Sequence, residues 1–173
     1  WVNDSSGSFL SHLPISMDGS CNGLQNLSAL LRDEIGGQAT NLTNNTVMED
    51  IYRRVAEAAM VRLKAMILED PRLEDFRQKW LAHGVTRSVV KRSVMTTPYG
   101  VTKRSATDYV VKDYLEKETN PFEKSEYTKA SSVLMEAVWP AIGDVVVKGR
   151  EAMAWLQKSA RCILKHLDRD NPV

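Results

Sequence analysis

Residues 86–100 read TRSVVKRSVMTTPYG, and their reading decides how the chain is organised. A helix is expected from about Val85. Pro98 lacks a donor and disfavours helical geometry at Thr97, so the regular pattern loosens there and Tyr99 falls on its end. Arg87, Lys91 and Arg92 crowd the front of this helix, where cations oppose the macrodipole. A stable helix alone gives no reason to put them there; a nearby anion does. Arg87, Lys91, Met95 and Tyr99 follow one another in steps of four, slightly more than one turn, and so wind slowly along one face. Two cations, a thioether and a phenol in that order suit a triphosphate, with cations on the phosphates and the aromatic against sugar or base. Each also has a plain reading: Arg87 paired with a distant acid, Lys91 solvated, Met95 in a core, Tyr99 packed with its hydroxyl satisfied.

The chain has 173 residues, 43% of them hydrophobic and 26% charged, the make-up of one soluble globular domain. It holds no apolar run long enough to span a bilayer and no signal-peptide pattern at its start. Because it opens on Trp1 rather than Met, it is expected to be a piece of a longer protein. Cys21 and Cys162 match neither a zinc spacing nor a disulfide framework, which points to free thiols in a reducing compartment. Asn3, Asn26, Asn41 and Asn44 head glycosylation sequons, taken as chance in the absence of a secretion signal.

Net charge is +1, yet its distribution is uneven. From Phe76 to Thr107 there is no Asp or Glu, while Arg77, Lys79, Arg87, Lys91, Arg92, Lys103 and Arg104 are basic. Such a segment predicts a concentrated positive field, the footprint of a phosphate-binding surface. A solvated basic face is the alternative.

Outward from this segment, FLSHLPISM (9–17) alternates well enough for a short strand ending at Asp18, with Pro14 marking an edge. A turn through Gly19 and Gly23 leads to a helix carrying Leu24, Leu27, Leu30 and Leu31, with Gly36-Gly37 as its C-cap. Thr46-x-x-Glu49 reads as a capping box opening a helix with Val47, Ile51, Val55, Ala58 and Met66 on its apolar face, ending near Asp70. Asp70-Pro71 starts a short helix with Leu73, Phe76 and Trp80 on one side, broken at His83-Gly84. Thr102 caps a further helix to about Glu118, a loop follows, and two helices then meet near Val147 to Gly149, the first kinked by Pro140. The expected fold class is mostly α with a small β component.

A second constellation is MDGSCNGLQ (17–25). An Asp on a strand-to-helix corner, followed by Gly, can offer a carboxylate and a carbonyl oxygen to a hard cation such as Mg²⁺, which few protein oxygens and substrate phosphates usually hold. The alternative is an Asx-type turn capping the next helix.

DGSCNGLQ, followed by ALLRDEIGGQATNL and, downstream, by GVTRSVVKRSVMTTPYGVT, resembles the single-subunit bacteriophage-type DNA-directed RNA polymerases, with mitochondrial and plastid relatives. The likeness runs from about Phe9 to about His166. It implies a partial right-hand polymerase fold: a palm strand and helix over residues 1–45, then helical fingers over 46–173, with the nucleotide-binding helix at about 85–99. It implies that Asp18 is the first metal-binding catalytic aspartate, with the Gly19 carbonyl beside it. Arg87 and Lys91 would hold the incoming triphosphate, Met95 would share their face, and Lys91 would donate a proton to the leaving pyrophosphate. Tyr99 would close the pocket and favour ribose, and Gly100 would let the backbone pass near the template base.

The implied reaction is attack of an RNA 3′-hydroxyl on the α-phosphate with two Mg²⁺ ions. Partners would be DNA template, nascent RNA and ribonucleoside triphosphates, with no membrane and a monomeric parent. The family's second aspartate, in a His-Asp hairpin, is not found: His166-Leu167-Asp168 lies at the end of an expected helix, and the chain is expected to stop before that element. This piece alone is therefore expected to be inactive. Asn26 stands where the family often has His. The viral character of TRSVVKRSVMT favours the cytoplasm of an infected bacterium over a mitochondrion or plastid. The competing class is a non-catalytic helical nucleic-acid-binding module using the same basic face; a Walker-type NTPase lacks its loop.

Overall fold

The computed structural model describes residues 7, 12–14, 16 and 18–170. Eight α-helices follow in order: α1 (Asn22–Leu31), α2 (Glu34–Ala39), α3 (Ile51–Ala65), α4 (Pro71–His83), α5 (Arg87–Thr96), α6 (Lys103–Val110), α7 (Tyr127–Val145) and α8 (Val147–Asp170). A 3₁₀ turn, Thr97–Tyr99, extends α5, and a π-helical turn, Val111–Leu115, extends α6. There is no strand among the described residues. Most of the strand expected at 9–17 lies outside them, so the small β component is not shown.

The organiser is α7. Ala130, Val133, Leu134, Met135, Ala137, Val138, Ala141, Ile142 and Val145 are all buried, so the helix is enclosed on most of its circumference. Its alanines let neighbours approach, and α3, α4 and α6 pack around it. The facing stripe of α3 is Val55, Ala56, Ala59 and Leu63, again small residues mixed with branched ones. Trp80 of α4 is fully buried and donates its indole N–H to the Ala130 carbonyl at 2.8 Å. Phe122 and Tyr114 lie against its ring at centroid distances of 4.8 and 6.4 Å. A buried indole without an acceptor would be costly, and here the acceptor is the backbone of the central helix.

Local chemistry explains the helix ends that hold and those that move. Asp70 accepts from the Arg72 amide at 2.9 Å with Pro71 as the first helical residue, and Gly84 ends α4 at φ 88°, as expected. Thr102 caps α6 by accepting from the Ser105 amide. The helix containing Pro98 does loosen, closing in the 3₁₀ turn.

Two expectations are corrected. Gly36-Gly37 does not end the first helix: α1 stops at Arg32, itself left-handed at φ 50°, and both glycines lie inside α2. Asp33 causes this by capping α2 through the Gly36 amide at 3.2 Å, and Gly36 packs so tightly against Ser28 and Asp33 that a Cβ would collide with them. Nor does Thr46 open the next helix. Asp50 does, accepting from the Tyr52 and Arg53 amides at 3.0 and 3.4 Å. A carboxylate at the N-terminus outcompetes a hydroxyl one turn earlier, since it also complements the dipole. Val47 consequently lies exposed outside α3, and that helix ends at Ala65, short of Asp70.

Replacing Trp80 by Phe is expected to remove the indole bond to the Ala130 carbonyl and leave the smaller ring underpacked, at a cost of about 1–3 kcal/mol. Chemical denaturation followed by circular dichroism measures it, and an unchanged midpoint would remove this bond from the account of the core.

Candidate nucleotide-binding cleft

The buried side of α5 is Val89, Val90, Ser93 and Val94, and α5 packs with it on the core that α3 and α6 share. This orientation leaves Arg87, Lys91 and Met95 facing outward. Tyr99, on the 3₁₀ turn, continues the row. These four side chains form one wall of a cleft of about 630 Å³, whose other walls are the corner Asp18–Gly23 and the segment Met48–Tyr52 leading into α3. Asp18, Gly19, Arg87, Lys91, Met95 and Tyr99 are thus brought together. Gly100 stands apart from the cleft lining: it adopts φ 79°, and a Cβ there would lie 3.2 Å from Gln157 and 3.3 Å from Met153 of α8.

Hydrogen bonds fix the corner. Oδ1 of Asp18 accepts from the Gly19 amide at 2.8 Å and from the Asn22 side chain at 3.0 Å, leaving Oδ2 without a hydrogen bond among the described residues. The Asx-type reading, a turn capping the next helix, is not met: the N-cap of α1 is Cys21, and no side chain makes a capping bond there. Asn41, left-handed at φ 60°, donates to Ser20 Oγ at 3.2 Å and to the Glu49 carbonyl at 2.8 Å, and accepts from the Glu49 amide at 2.8 Å. It therefore ties the corner to the entry of α3. Gly23 lets Tyr99 approach the first turn of α1: a Cβ on Gly23 would meet the Tyr99 hydroxyl at 3.0 Å and Pro98 Cβ at 3.3 Å.

The electrostatics temper the concentrated positive field expected over residues 76–107. Arg77 pairs with Glu74 at 2.6 Å, Lys79 with Asp75 at 3.0 Å, Arg92 with Asp113 at 3.4 Å and Lys103 with Glu136 at 2.6 Å. Arg87 pairs with Asp50 at 2.7 Å, and its guanidinium lies 4.8 Å from the centre of the Tyr52 ring. Acids from outside the segment thus answer most of its charges. Among the described residues Lys91 and Arg104 have no ion-pair partner, and of these two Lys91 lines the cleft.

Burial pushes the Asp50 carboxyl up, but the Arg87 guanidinium and the Arg53 and Tyr52 amides more than reverse this and hold it below the usual range. Burial, with the Cys21 thiol beside it, pushes the Tyr52 phenol well up. No spacing or motif in the sequence marks Asp50, Tyr52 or Cys21 as site residues. The one available hint was that an acid-free basic segment must find its counter-charges elsewhere.

As a cation site, the corner offers one exposed carboxylate with an unengaged oxygen and an adjacent backbone carbonyl. No cluster of three or more metal-ligating side chains occurs among the described residues. One carboxylate oxygen and one carbonyl oxygen, facing the cations Arg87 and Lys91 across the cleft, are hard donors of the type magnesium takes, and they would supply only part of its ligand set.

The family model for DNA-dependent RNA polymerase matches residues 2–172. The chain is 35% identical to a DNA-directed RNA polymerase of Enterobacteria phage T3, over 87% of this chain and 20% of that protein. It is 33% identical to the mitochondrial DNA-directed RNA polymerase of Mus musculus, over 90% of this chain and 12% of the other. It is 35% identical to the chloroplastic/mitochondrial DNA-directed RNA polymerase 2B of Nicotiana tabacum, over 89% and 15%. The chain therefore spans a fifth or less of the length of these relatives.

Because Asp50 is held below its ordinary value, its ion pair contributes stability that is full above about pH 4 and is lost as pH falls through the lowered folded value. The gap in denaturation midpoint between the native chain and Asp50→Asn should accordingly narrow below about pH 4. A gap that stays constant with pH would contradict the pairing.

Proposed function

The chain belongs to the DNA-dependent RNA polymerase family, and on that premise we propose that it is the part of such an enzyme that receives the incoming ribonucleoside triphosphate. The carrying observation is the cleft itself: the α5 row of Arg87, Lys91, Met95 and Tyr99 faces the Asp18 corner across one volume. In this reading residues 1–45 are palm and 46–173 fingers of a right-hand polymerase, and the cleft runs along their junction.

Arg87 and Lys91 bind the phosphates. Arginine stays charged and is suited to fixed, directional contact with phosphate oxygens, whereas a lysine ammonium can give up a proton, so Lys91 protonates the pyrophosphate as it leaves. Its lack of an acid partner among the described residues supports this division, for a lysine locked in an ion pair would have to be freed first. Tyr99 lies where the row leaves the phosphates, and its hydroxyl meets the 2′-hydroxyl of ribose. Met95 supplies an adaptable apolar contact between the two. Asp18 and the Gly19 carbonyl would hold magnesium, which in this chemistry neutralises charge on the attacking and leaving oxygens. The product is an RNA chain one nucleotide longer, copied from a DNA template by attack of the 3′-hydroxyl on the α-phosphate.

A nucleic-acid-binding module is less well supported. It would use a broad basic face, and the pairing of Arg77, Lys79, Arg92 and Lys103 removes most of that face. The His166–Asp168 string falls within α8, a helix rather than a hairpin, which supports the proposal that a second catalytic aspartate lies elsewhere in the complete protein.

In the full-length protein, Lys91→Ala is expected to lower kcat for primer extension by about 10²-fold or more. Tyr99→Phe is expected to relax discrimination against deoxynucleotides by about tenfold, the worth of one hydrogen bond. Wild-type rates in the first or wild-type selectivity in the second would reject the role concerned. The 173-residue chain alone should extend no primer on a DNA template.

A further inference from the structure

We propose that Asp50 is a positioning residue for Arg87, aiming its free guanidinium edge into the cleft; this rests on the reading of Arg87 as a phosphate-binding residue. The carboxylate is divided between two tasks. Oδ1 accepts from the Tyr52 and Arg53 amides and so caps α3. Oδ2 accepts from Arg87 Nε at 2.7 Å. The guanidinium also rests on the Tyr52 ring at 4.8 Å, so the start of α3 grips it on one edge and on one face. No other hydrogen bond engages Arg87 among the described residues, which leaves both terminal nitrogens for an anion.

This grip answers two physical difficulties. An arginine on a long flexible stem loses considerable rotamer freedom when it binds a ligand, and a side chain already held loses less on binding. Arg87 is also the first residue of α5, whose N-cap Thr86 makes no side-chain capping bond, so a cation sits at the positive end of a helix dipole. Asp50 is the negative group that offsets it. Because the contact runs through Nε, the carboxylate can remain in place when phosphate oxygens occupy the other edge, and no exchange of partners is required.

The test uses the full-length protein on a primed DNA template, with steady-state KM and kcat for a ribonucleoside triphosphate. The variants are Asp50→Asn, Asp50→Ser, Arg87→Ala and the double variant Asp50→Asn/Arg87→Ala. Asn and Ser are both strong N-caps, so α3 keeps its start while the negative charge facing Arg87 is removed. The expected result is that each Asp50 variant raises KM about tenfold with kcat within about twofold, and that Asp50→Asn adds nothing once Arg87 is Ala. A lowered or unchanged KM for the Asp50 variants, while Arg87→Ala raises it, overturns this inference and leaves the phosphate role of Arg87 standing. Multiplying effects in the double variant likewise overturn it, since they assign Asp50 a role of its own. An Arg87→Ala variant with unchanged KM overturns both readings.

Discussion

Helix α5 must satisfy two demands at once, and the rest of the site follows from how it does so. Val89, Val90 and Val94 fill the core, and their burial fixes the rotation of the helix about its axis. Fully burying side chains of this kind contributes about 1.5–3 kcal/mol each, far more than an exposed ion pair. The hydrophobic face therefore dictates where the polar face points. Once Val90 and Val94 are inside, Arg87, Lys91 and Met95 have to lie along the cleft. Their alignment is a consequence of packing, and the charges contribute its chemistry rather than its geometry.

The distribution of counter-charges refines that chemistry. In sequence, the stretch from Phe76 to Thr107 is uninterrupted positive charge; in space, Glu74, Asp75, Asp113, Glu136 and Asp50 are folded onto it. Most of these pairs are partly solvated and contribute little to stability. Their larger effect is on the field, because a paired cation no longer attracts distant anions. Among the described residues what survives, apart from Arg104, is local: an unpaired Lys91 and an Arg87 with one edge free, both lining the same cleft. A polyanion would find little to follow along the surface, whereas the cleft presents two cationic donors within one volume.

How much of this was legible depended on the range of the interaction concerned. The α4 boundaries follow from Asp70, Pro71 and Gly84 within a few residues, and the row on α5 follows from a four-residue period; both are local and both were readable. Asp50 was hidden by a decoy, for Thr46 and Glu49 make a plausible capping box one turn earlier, and only the side-chain geometry separates them. Gly36-Gly37 misled similarly, because glycine marks a close approach as readily as a helix end, and here Ser28 and Asp33 are what it approaches. The pairing of Arg87 with Asp50 spans 37 residues, and no spacing rule reaches so far. The family likeness was carried by two long motifs, yet it bears on roles and not on these contacts.

The two donors on α5 are held unequally, and this inequality matches the reading proposed for the cleft. Arg87 is pinned by Asp50 and Tyr52, which suits a residue that must meet phosphate oxygens in one orientation. Lys91 is unpinned, which suits a residue that must follow a leaving group and surrender a proton to it. Exchanging the two would fail on both counts: an arginine at 91 could not be deprotonated, and a lysine at 87 would replace a planar group gripped on edge and face by a point charge. Tyr99 completes the gradient, lodged against Gly23 at one end and exposed along its ring, so that its hydroxyl is placed by the first turn of α1 rather than by α5. The row is regular in sequence, but its two ends are held by different elements, Arg87 by the start of α3 and Tyr99 by the first turn of α1, and the cleft is accordingly walled by more than a single helix.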